Sequence, residues 1–406
     1  MDALFTSTSA VCVTGLIVKD TPVDFTSFGH LIILLLIQIG GLGYMTAVSF
    51  LAVMRRQKIG HRDRLILQES LNYPGMDGLV RFLKIVFSTI FTIEVIGMIV
   101  LTLRFWVDMP LDQAAWFGVF HAVSAFNNAG FSLFSDNLMG YRGDFVINVT
   151  IPVLIILGGL GYLVLLELYH YHRGRVLRLS THTKLVLIMS AILIVLGMAL
   201  LLSMEWSNPK SFGPMSIYEK FLAAWFASVN YRTAGFNTID FSTLTDSNLF
   251  FGTFFMMTGG SPGGTAGGIK TTAVALALIG VWYTLRGDTH AHIFRRSLSP
   301  YQINKAYAFI FIASIYVVVS TIILSEVERL PFLRILFETT SAFGTVGVST
   351  GNGGVLSYSA LFSDWGKLNI IILMLMGRVG VFAFTIVIVG KAAESRIKYA
   401  EGKVVI

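Results

Sequence analysis

Four short segments of the chain end alike: Val13-Thr14-Gly15-Leu16, Asn128-Ala129-Gly130-Phe131, Thr233-Ala234-Gly235-Phe236 and Thr345-Val346-Gly347-Val348. Their glycines lie 115, 105 and 112 residues apart. Each segment follows a short apolar stretch carrying Ser or Thr and precedes a long apolar span. No covalent chemistry is expected of them. What they offer is backbone carbonyl oxygen. Four loops of the form polar-x-Gly-apolar, gathered around one axis, ring a dehydrated cation with carbonyls.

The elements that must position these loops are membrane helices. Of 406 residues, 54% are hydrophobic and only 13% charged, with mean hydropathy +0.72. A soluble domain carries about 25% charged residues. The apolar runs are continuous rather than alternating, which points to helices and not to a β-barrel. Seven spans of bilayer length are expected, near 30–54, 79–103, 145–169, 183–204, 247–286, 304–325 and 368–391. No cleavable leader with a basic start is visible. Cys12 is alone in the sequence, which excludes an intrachain disulfide.

The net charge of +7 does not point to nucleic acid. Of 30 Lys and Arg, 19 fall in 55–84, 173–184, 286–305 and 391–403. By the positive-inside rule these stretches are cytoplasmic, and all four glycine loops face outward. Three basic residues remain in or near apolar segments: Arg232, Lys270 and Arg378.

An internal repeat sets the expected architecture. The chain divides into 1–60, 61–175, 176–290 and 291–406. Each unit has the order outer helix, re-entrant pore helix, glycine segment, inner helix. Each complete unit crosses the membrane twice, so the units are parallel. An inverted repeat would place the loops on opposite sides. The inner helices carry matching copies: Ile39-Gly40-Gly41-Leu42-Gly43-Tyr44, Leu157-Gly158-Gly159-Leu160-Gly161-Tyr162, Thr258-Gly259-Gly260-Ser261-Pro262-Gly263 and Met376-Gly377-Arg378-Val379-Gly380-Val381. In the first two copies small residues are expected to serve close helix packing. Met1 aligns near Trp116, so the first unit lacks its outer helix and a longer native chain is expected.

The third inner stretch, 247–286, is a largely apolar run of 40 residues. As one helix it would be about 60 Å long, against a hydrocarbon core of about 30 Å. It is expected to break at Thr258-Gly259-Gly260-Ser261-Pro262-Gly263-Gly264-Thr265-Ala266-Gly267-Gly268. Pro262 removes a helix hydrogen bond and the glycines resist helix entropically. Irregular backbone at membrane depth belongs beside protein or a water-filled path, so a gating loop under the glycine ring is expected. A phosphate-binding loop is excluded, because Ile269 separates Gly268 from Lys270. Arg378, mid-span in the fourth inner helix, is expected to set a barrier to cations and to bond carbonyls freed by the loop. Lys270 is expected to point toward a cytoplasmic vestibule, and Arg232 to brace its glycine segment from behind. Asp20, Asp24, Asp136, Asp240 and Asp246 follow the glycine segments and would raise cation concentration at an outer mouth; ordinary loop solvation accounts for them equally well.

These motifs resemble the Trk/Ktr/HKT superfamily of potassium transporters, and most nearly the bacterial Ktr membrane subunit. The likeness covers essentially the whole chain. It rests on Ala10–Gly15, Asn127–Phe131, Arg232–Thr238, Gly259–Gly264 with Gly267–Thr271, and Met376–Gly380. Thr345-Val346-Gly347-Val348 comes nearest to a potassium-channel filter. The resemblance implies a pseudo-fourfold pore in each chain, homodimers, and potassium selectivity from glycine at all four filter positions. It maps a gating loop to 258–268 and a gating arginine to Arg378. It further implies a separate cytosolic ring of Rossmann-type nucleotide-binding domains, docking on the basic loops, and possible sodium dependence in the plasma membrane of a prokaryote. Potassium is cargo, and no cofactor is expected. Two other readings are a sodium-coupled solute symporter built on the broken third inner helix, and a non-transporting membrane scaffold.

Overall fold

A computed structural model describes residues 1–43, 79–288, 290–353 and 355–380. Helices dominate. In chain order they are α1 (Asp2–Val11), α2 (Thr21–Asp24), α3 (Ser27–Leu42), α4 (Leu79–Phe105), α5 (Leu111–Phe126), α6 (Phe145–Leu160), α7 (Tyr162–His172), α8 (Thr181–Glu205), α9 (Ile217–Asn230), α10 (Asp246–Met257), α11 (Thr271–Leu285), α12 (Pro300–Glu328), α13 (Phe332–Gly344) and α14 (Asp364–Val379). The one sheet among the described residues is a hairpin of β1 (His292–Ile293) and β2 (Arg296–Ser297). Its two turn residues, Phe294 and Arg295, have φ of 50° and 63°, the sign a tight two-residue hairpin demands.

Three described helices are long and apolar enough to cross a membrane: Phe82–Phe105, Thr181–Glu205 and Pro300–Glu328. A fourth span results if α6 and α7 count as one. That pair covers the span expected over 145–169 and bends by 102° at Gly161. Gly161 has φ of 94°, which ends a right-handed helix. The expected 247–286 stretch is divided into α10 and α11 by the glycine loop. The later parts of the expected spans 30–54 and 368–391, and most of the basic stretches 55–84 and 391–403, lie outside the described residues.

Local chemistry starts the inner helices. α3, α6, α10 and α14 each begin after a side-chain cap: Thr26, Asp144, Thr245 and Ser363 accept a hydrogen bond from a first-turn N–H. Such a cap contributes about 1 kcal/mol by satisfying a donor left free at the helix start. Outer helices pack on the pore helices that follow them: α4 on α5, α8 on α9, α12 on α13. Each inner helix also packs on the next pore helix, α3 on α5, α6 on α9 and α10 on α13. The last of them, α14, packs on α1 and closes the circuit.

Candidate cation site

The four helices α1, α5, α9 and α13 all end where a glycine segment begins. A helix C-terminus carries the negative end of the peptide dipole, so four such ends favour a cation between them. Two residues before each glycine the backbone turns left-handed: φ is 57° at Val13, 61° at Asn128, 70° at Thr233 and 52° at Thr345. The glycines follow at 92°, 71°, 73° and 85°. A positive φ at Val or Thr is costly, and here it recurs in register. Asn128 is a residue type that tolerates this conformation, but nothing in the types of Val13, Thr233 and Thr345 signals it, since β-branched residues disfavour it.

The segments meet carbonyl to glycine in cyclic order. A Cβ built on Gly15 would lie 2.5 Å from the Ala129 oxygen, one on Gly130 would lie 2.8 Å from the Ala234 oxygen, and one on Gly235 would lie 3.2 Å from the Val346 oxygen. A Cβ on Gly347 would collide with the Thr14 oxygen, which closes the ring. The carbonyls of Thr14, Ala129, Ala234 and Val346 therefore stand side by side, each so near the neighbouring glycine that a Cβ there would crowd it. Side chains tie the ring from behind. Ser9 Oγ accepts from Gly15 N–H at 3.1 Å, and Ser124 Oγ donates to Phe131 O at 2.8 Å. Asn230 Oδ1 accepts from Phe236 N–H at 3.0 Å.

A cavity of about 110 Å³ opens on one side of the ring and touches Gly15, Gly130, Gly235 and Gly347. Asp20, Asp136 and Asp240 line it. Asp24 does not; it accepts a hydrogen bond from Asp20 N–H at 2.7 Å. Asp246 sits in the first turn of α10 instead.

On the other side lies the 258–268 loop. Its backbone groups are paired at membrane depth. Ser261 N–H and Thr265 N–H donate to Gly159 O at 2.9 Å and Gly158 O at 3.1 Å. Gly263 O accepts from Tyr162 N–H at 3.0 Å, and Gly268 N–H donates to Gly377 O at 3.1 Å. Gly259 N–H donates to Ile269 O at 2.9 Å and Gly260 O accepts from Thr271 N–H at 3.1 Å, closing the loop at its base. A Cβ on Gly264 would lie 2.9 Å from Gly158 O. The loop also reaches the ring. Thr265 Oγ1 donates within 3.0 Å of Asn128 Oδ1, and Asn128 Nδ2 donates to Thr233 Oγ1 at 3.2 Å. Gly267 N–H donates to Thr345 Oγ1 at 3.1 Å. Ser261 and Thr271 hydroxyls pair at 2.9 Å, while Pro262 and Gly263 face α7.

Arg378 joins the loop to the first inner helix. Its guanidinium donates to Thr265 O, Gly40 O and Gly41 O, the last at 3.1 Å. Lys270 turns back onto the loop rather than outward: Nζ donates to Ala266 O at 2.7 Å. Its four-carbon stem is long enough to reach a carbonyl that the broken helix leaves free. Arg232 is buried and donates through Nη2 to Ser190 Oγ of α8 at 3.1 Å.

Sequence reasoning passed over one further cluster. Glu94, buried in α4, accepts from Gln38 Nε2 at 3.3 Å and from Asn127 Nδ2 at 3.0 Å. Asn127 directly precedes the second glycine segment. The available signal was an acid inside an apolar span, which ordinarily marks a functional position. Glu338 was missed likewise; it accepts from Ser349 Oγ at 2.6 Å and Ser359 N–H at 2.8 Å, pinning the chain that leaves the fourth segment.

The TrkH family, described as a cation transport protein, matches residues 1–396. The chain belongs to that family. It is thus a multi-pass membrane protein of the Trk/Ktr superfamily, a transporter of cations rather than an enzyme. Ktr system potassium uptake protein B of Bacillus subtilis (strain 168) is 40% identical over 405 residues, covering 100% of this chain and 89% of the relative. The protein of the same name in Vibrio alginolyticus is 34% identical, covering 99% of this chain and 87% of its own length. Potassium/sodium uptake protein NtpJ of Enterococcus hirae is 35% identical, over 100% and 89%. Among solved structures, the potassium transporter TrkH from Vibrio parahaemolyticus superposes with TM-score 0.74 at 19% identity, covering 95% of this TrkH-family chain and 77% of that one. At that identity the likeness speaks to the fold.

Proposed function

We propose that this chain takes up potassium through one pseudo-fourfold pore. The observation that carries the reading is the closed ring in which each glycine lies beside the carbonyl of the next segment, with a mouth cavity touching all four glycines. In this reading Val13-Thr14-Gly15, Asn128-Ala129-Gly130, Thr233-Ala234-Gly235 and Thr345-Val346-Gly347 are the filter. Carbonyls replace the water that the ion sheds. Asp20, Asp136 and Asp240 raise the cation concentration at the outer mouth.

The loop from Thr258 to Gly268 blocks the path beneath the filter, and Arg378 holds it there by its bonds to Thr265, Gly40 and Gly41. A guanidinium at this depth also repels the permeating cation. Opening therefore requires the Arg378 bonds to break, which calls for an outside source of work. A cytosolic nucleotide-binding ring docking on the basic loops would supply it, with the chain assembled as a homodimer. The names of the similar proteins from three bacteria include potassium uptake, which supports the choice of ion. A sodium-coupled symporter would place a solute site at the broken inner helix; the pairing of the loop with α6, α14 and the glycine segments favours a plug instead.

The test is growth of a potassium-uptake-deficient bacterium at low external potassium, with the chain expressed alone and with a cytosolic ring subunit. Rescue that needs the ring supports the whole reading. Absence of rescue in both arms, with the chain present in the membrane, overturns it.

A further inference from the structure

A second cavity, of about 900 Å³, lies away from the filter among α7, the start of α8, α11 and the β1–β2 hairpin. That volume falls in the range that holds a ligand of some size. Its walls are apolar, formed by Leu163, Leu166, Leu185, Leu276 and Leu298. Its floor includes Pro262 of the glycine loop.

Two basic groups at its rim are open to a ligand. The Arg296 guanidinium is exposed and makes no ion pair or side-chain hydrogen bond among the described residues, and His182 Nε2 is buried without a partner. His170 lines the cavity beside them. The one acid in the lining, Glu167, is already saturated: its carboxylate accepts from Ser180 N–H at 2.5 Å, from Ser180 Oγ at 2.7 Å and from the Thr183 hydroxyl. A ligand that completes this site brings an anionic acceptor on an apolar body.

Depth identifies the source. α8 is long enough to cross the membrane, and the cavity opens beside its first residues, Thr181 and His182. That is the level of lipid headgroups. Arg173, Arg175, Arg178 and Lys184 follow α7 with no acid among residues 173–184, and Arg295 adjoins Arg296 in the hairpin turn. Basic clusters of this kind beside a membrane helix attract acidic lipids.

We propose that the cavity seats an acidic phospholipid of the adjoining leaflet, its phosphate against Arg296 and His182 and an acyl chain along Leu163, Leu185 and Leu276. The seated chain touches Pro262. The α7 wall is the same element whose Tyr162 N–H holds Gly263 O, at 3.0 Å, so lipid and loop share one support. The proposal does not rest on the transport reading.

The test is native mass spectrometry of the purified full-length protein titrated with phosphatidylglycerol or phosphatidylcholine. Phosphatidylglycerol is expected to be retained and phosphatidylcholine not. Arg296→Glu, at an exposed position, is expected to weaken retention about tenfold. Leu276→Trp, which fills the cavity, is expected to do so without any change of charge. Lys210→Glu, in the segment between α8 and α9, leaves retention unchanged. Equal retention of the two lipids overturns the proposal, as does wild-type retention by both cavity variants. Because binding is read without ion flux, this outcome is independent of the growth test above.

Discussion

The third unit differs from the other three at the junction of pore helix and inner helix. In the first, second and fourth units a glycine packs against a carbonyl in the last turn of the short helix before the glycine segment: Gly40 on Val11, Gly158 on Phe126, Gly377 on Phe343. Three residues later the helix ends at a glycine with φ of 79°, 94° or 99°, at Gly43, Gly161 and Gly380. A serine six residues before each filter glycine accepts, through its carbonyl, an N–H at 2.8 Å: Ser9 from Thr14, Ser124 from Ala129, Ser341 from Val346. In the third unit Val229 stands at the serine position and Ala234 N–H bonds Asn230 O instead, at 3.2 Å. Tyr231 lies over Gly252, and Pro262 stands where the helix-ending glycine should be. A tight glycine junction repeated three times makes a rigid frame. The one unit without it is the one whose inner stretch is interrupted by the 258–268 loop.

This contrast can be broken first at the frame. Gly158→Ala or Gly377→Ala puts a methyl group into a pore-helix carbonyl. Overpacking costs about 1–3 kcal/mol, and more where backbone is the obstacle. Loss of the monodisperse peak in size-exclusion chromatography is expected, while Gly143→Ala, whose Cβ would meet nothing closer than 3.7 Å, stays like wild type. Normal yields of both frame variants would show that the junction is not rigid.

Next in size is the filter. Gly15→Ser forces a side chain toward the Ala129 oxygen at a residue with φ of 92°. Potassium selectivity should fall by at least about tenfold, read as sodium competition in flux assays, with folding retained. Unchanged selectivity would remove Gly15 from the ion path.

The loop comes third. Arg378→Ala removes the bonds to Thr265, Gly40 and Gly41. Basal flux without a cytosolic partner should rise about tenfold, the effect of losing a single charge-assisted bond of about 1.5 kcal/mol net. A shortened 258–268 loop should behave alike. Flux that stays at the wild-type level, with ion binding intact, would deny the loop its role.

The smallest effect sharpens the link between loop and filter. Thr265→Val keeps the shape and deletes the hydroxyl that meets Asn128 Oδ1. A loss of about 1 kcal/mol in loop closure is expected, seen as a modest rise in basal flux and none in Gly15-dependent selectivity.

Several parts of this arrangement were legible in the sequence for stated physical reasons. The apolar, helical character of the chain and the impossibility of one helix over 247–286 follow from bilayer thickness and backbone hydrogen bonding. The helix ends at Gly43, Gly161 and Gly380 are also written there, in the Gly-x-x-Gly shared by three copies, although the first two copies suggest packing alone. Both roles are present: the first glycine packs and the last one ends the helix. Lys270 was read outward because a charge prefers water; an unpaired carbonyl within reach, that of Ala266, outweighed that preference.

The sequence by itself determined that this is a helical membrane protein with four glycine segments in register, because period, length and residue size are properties of the chain alone. Only the tertiary structure decided which carbonyl meets which glycine, that Val13, Asn128, Thr233 and Thr345 turn left-handed, and that Arg378 ties Thr265 to Gly40 and Gly41. Those contacts join residues a hundred or more positions apart. They arise from closing the ring of units, and no local preference of Val, Thr or Arg encodes them.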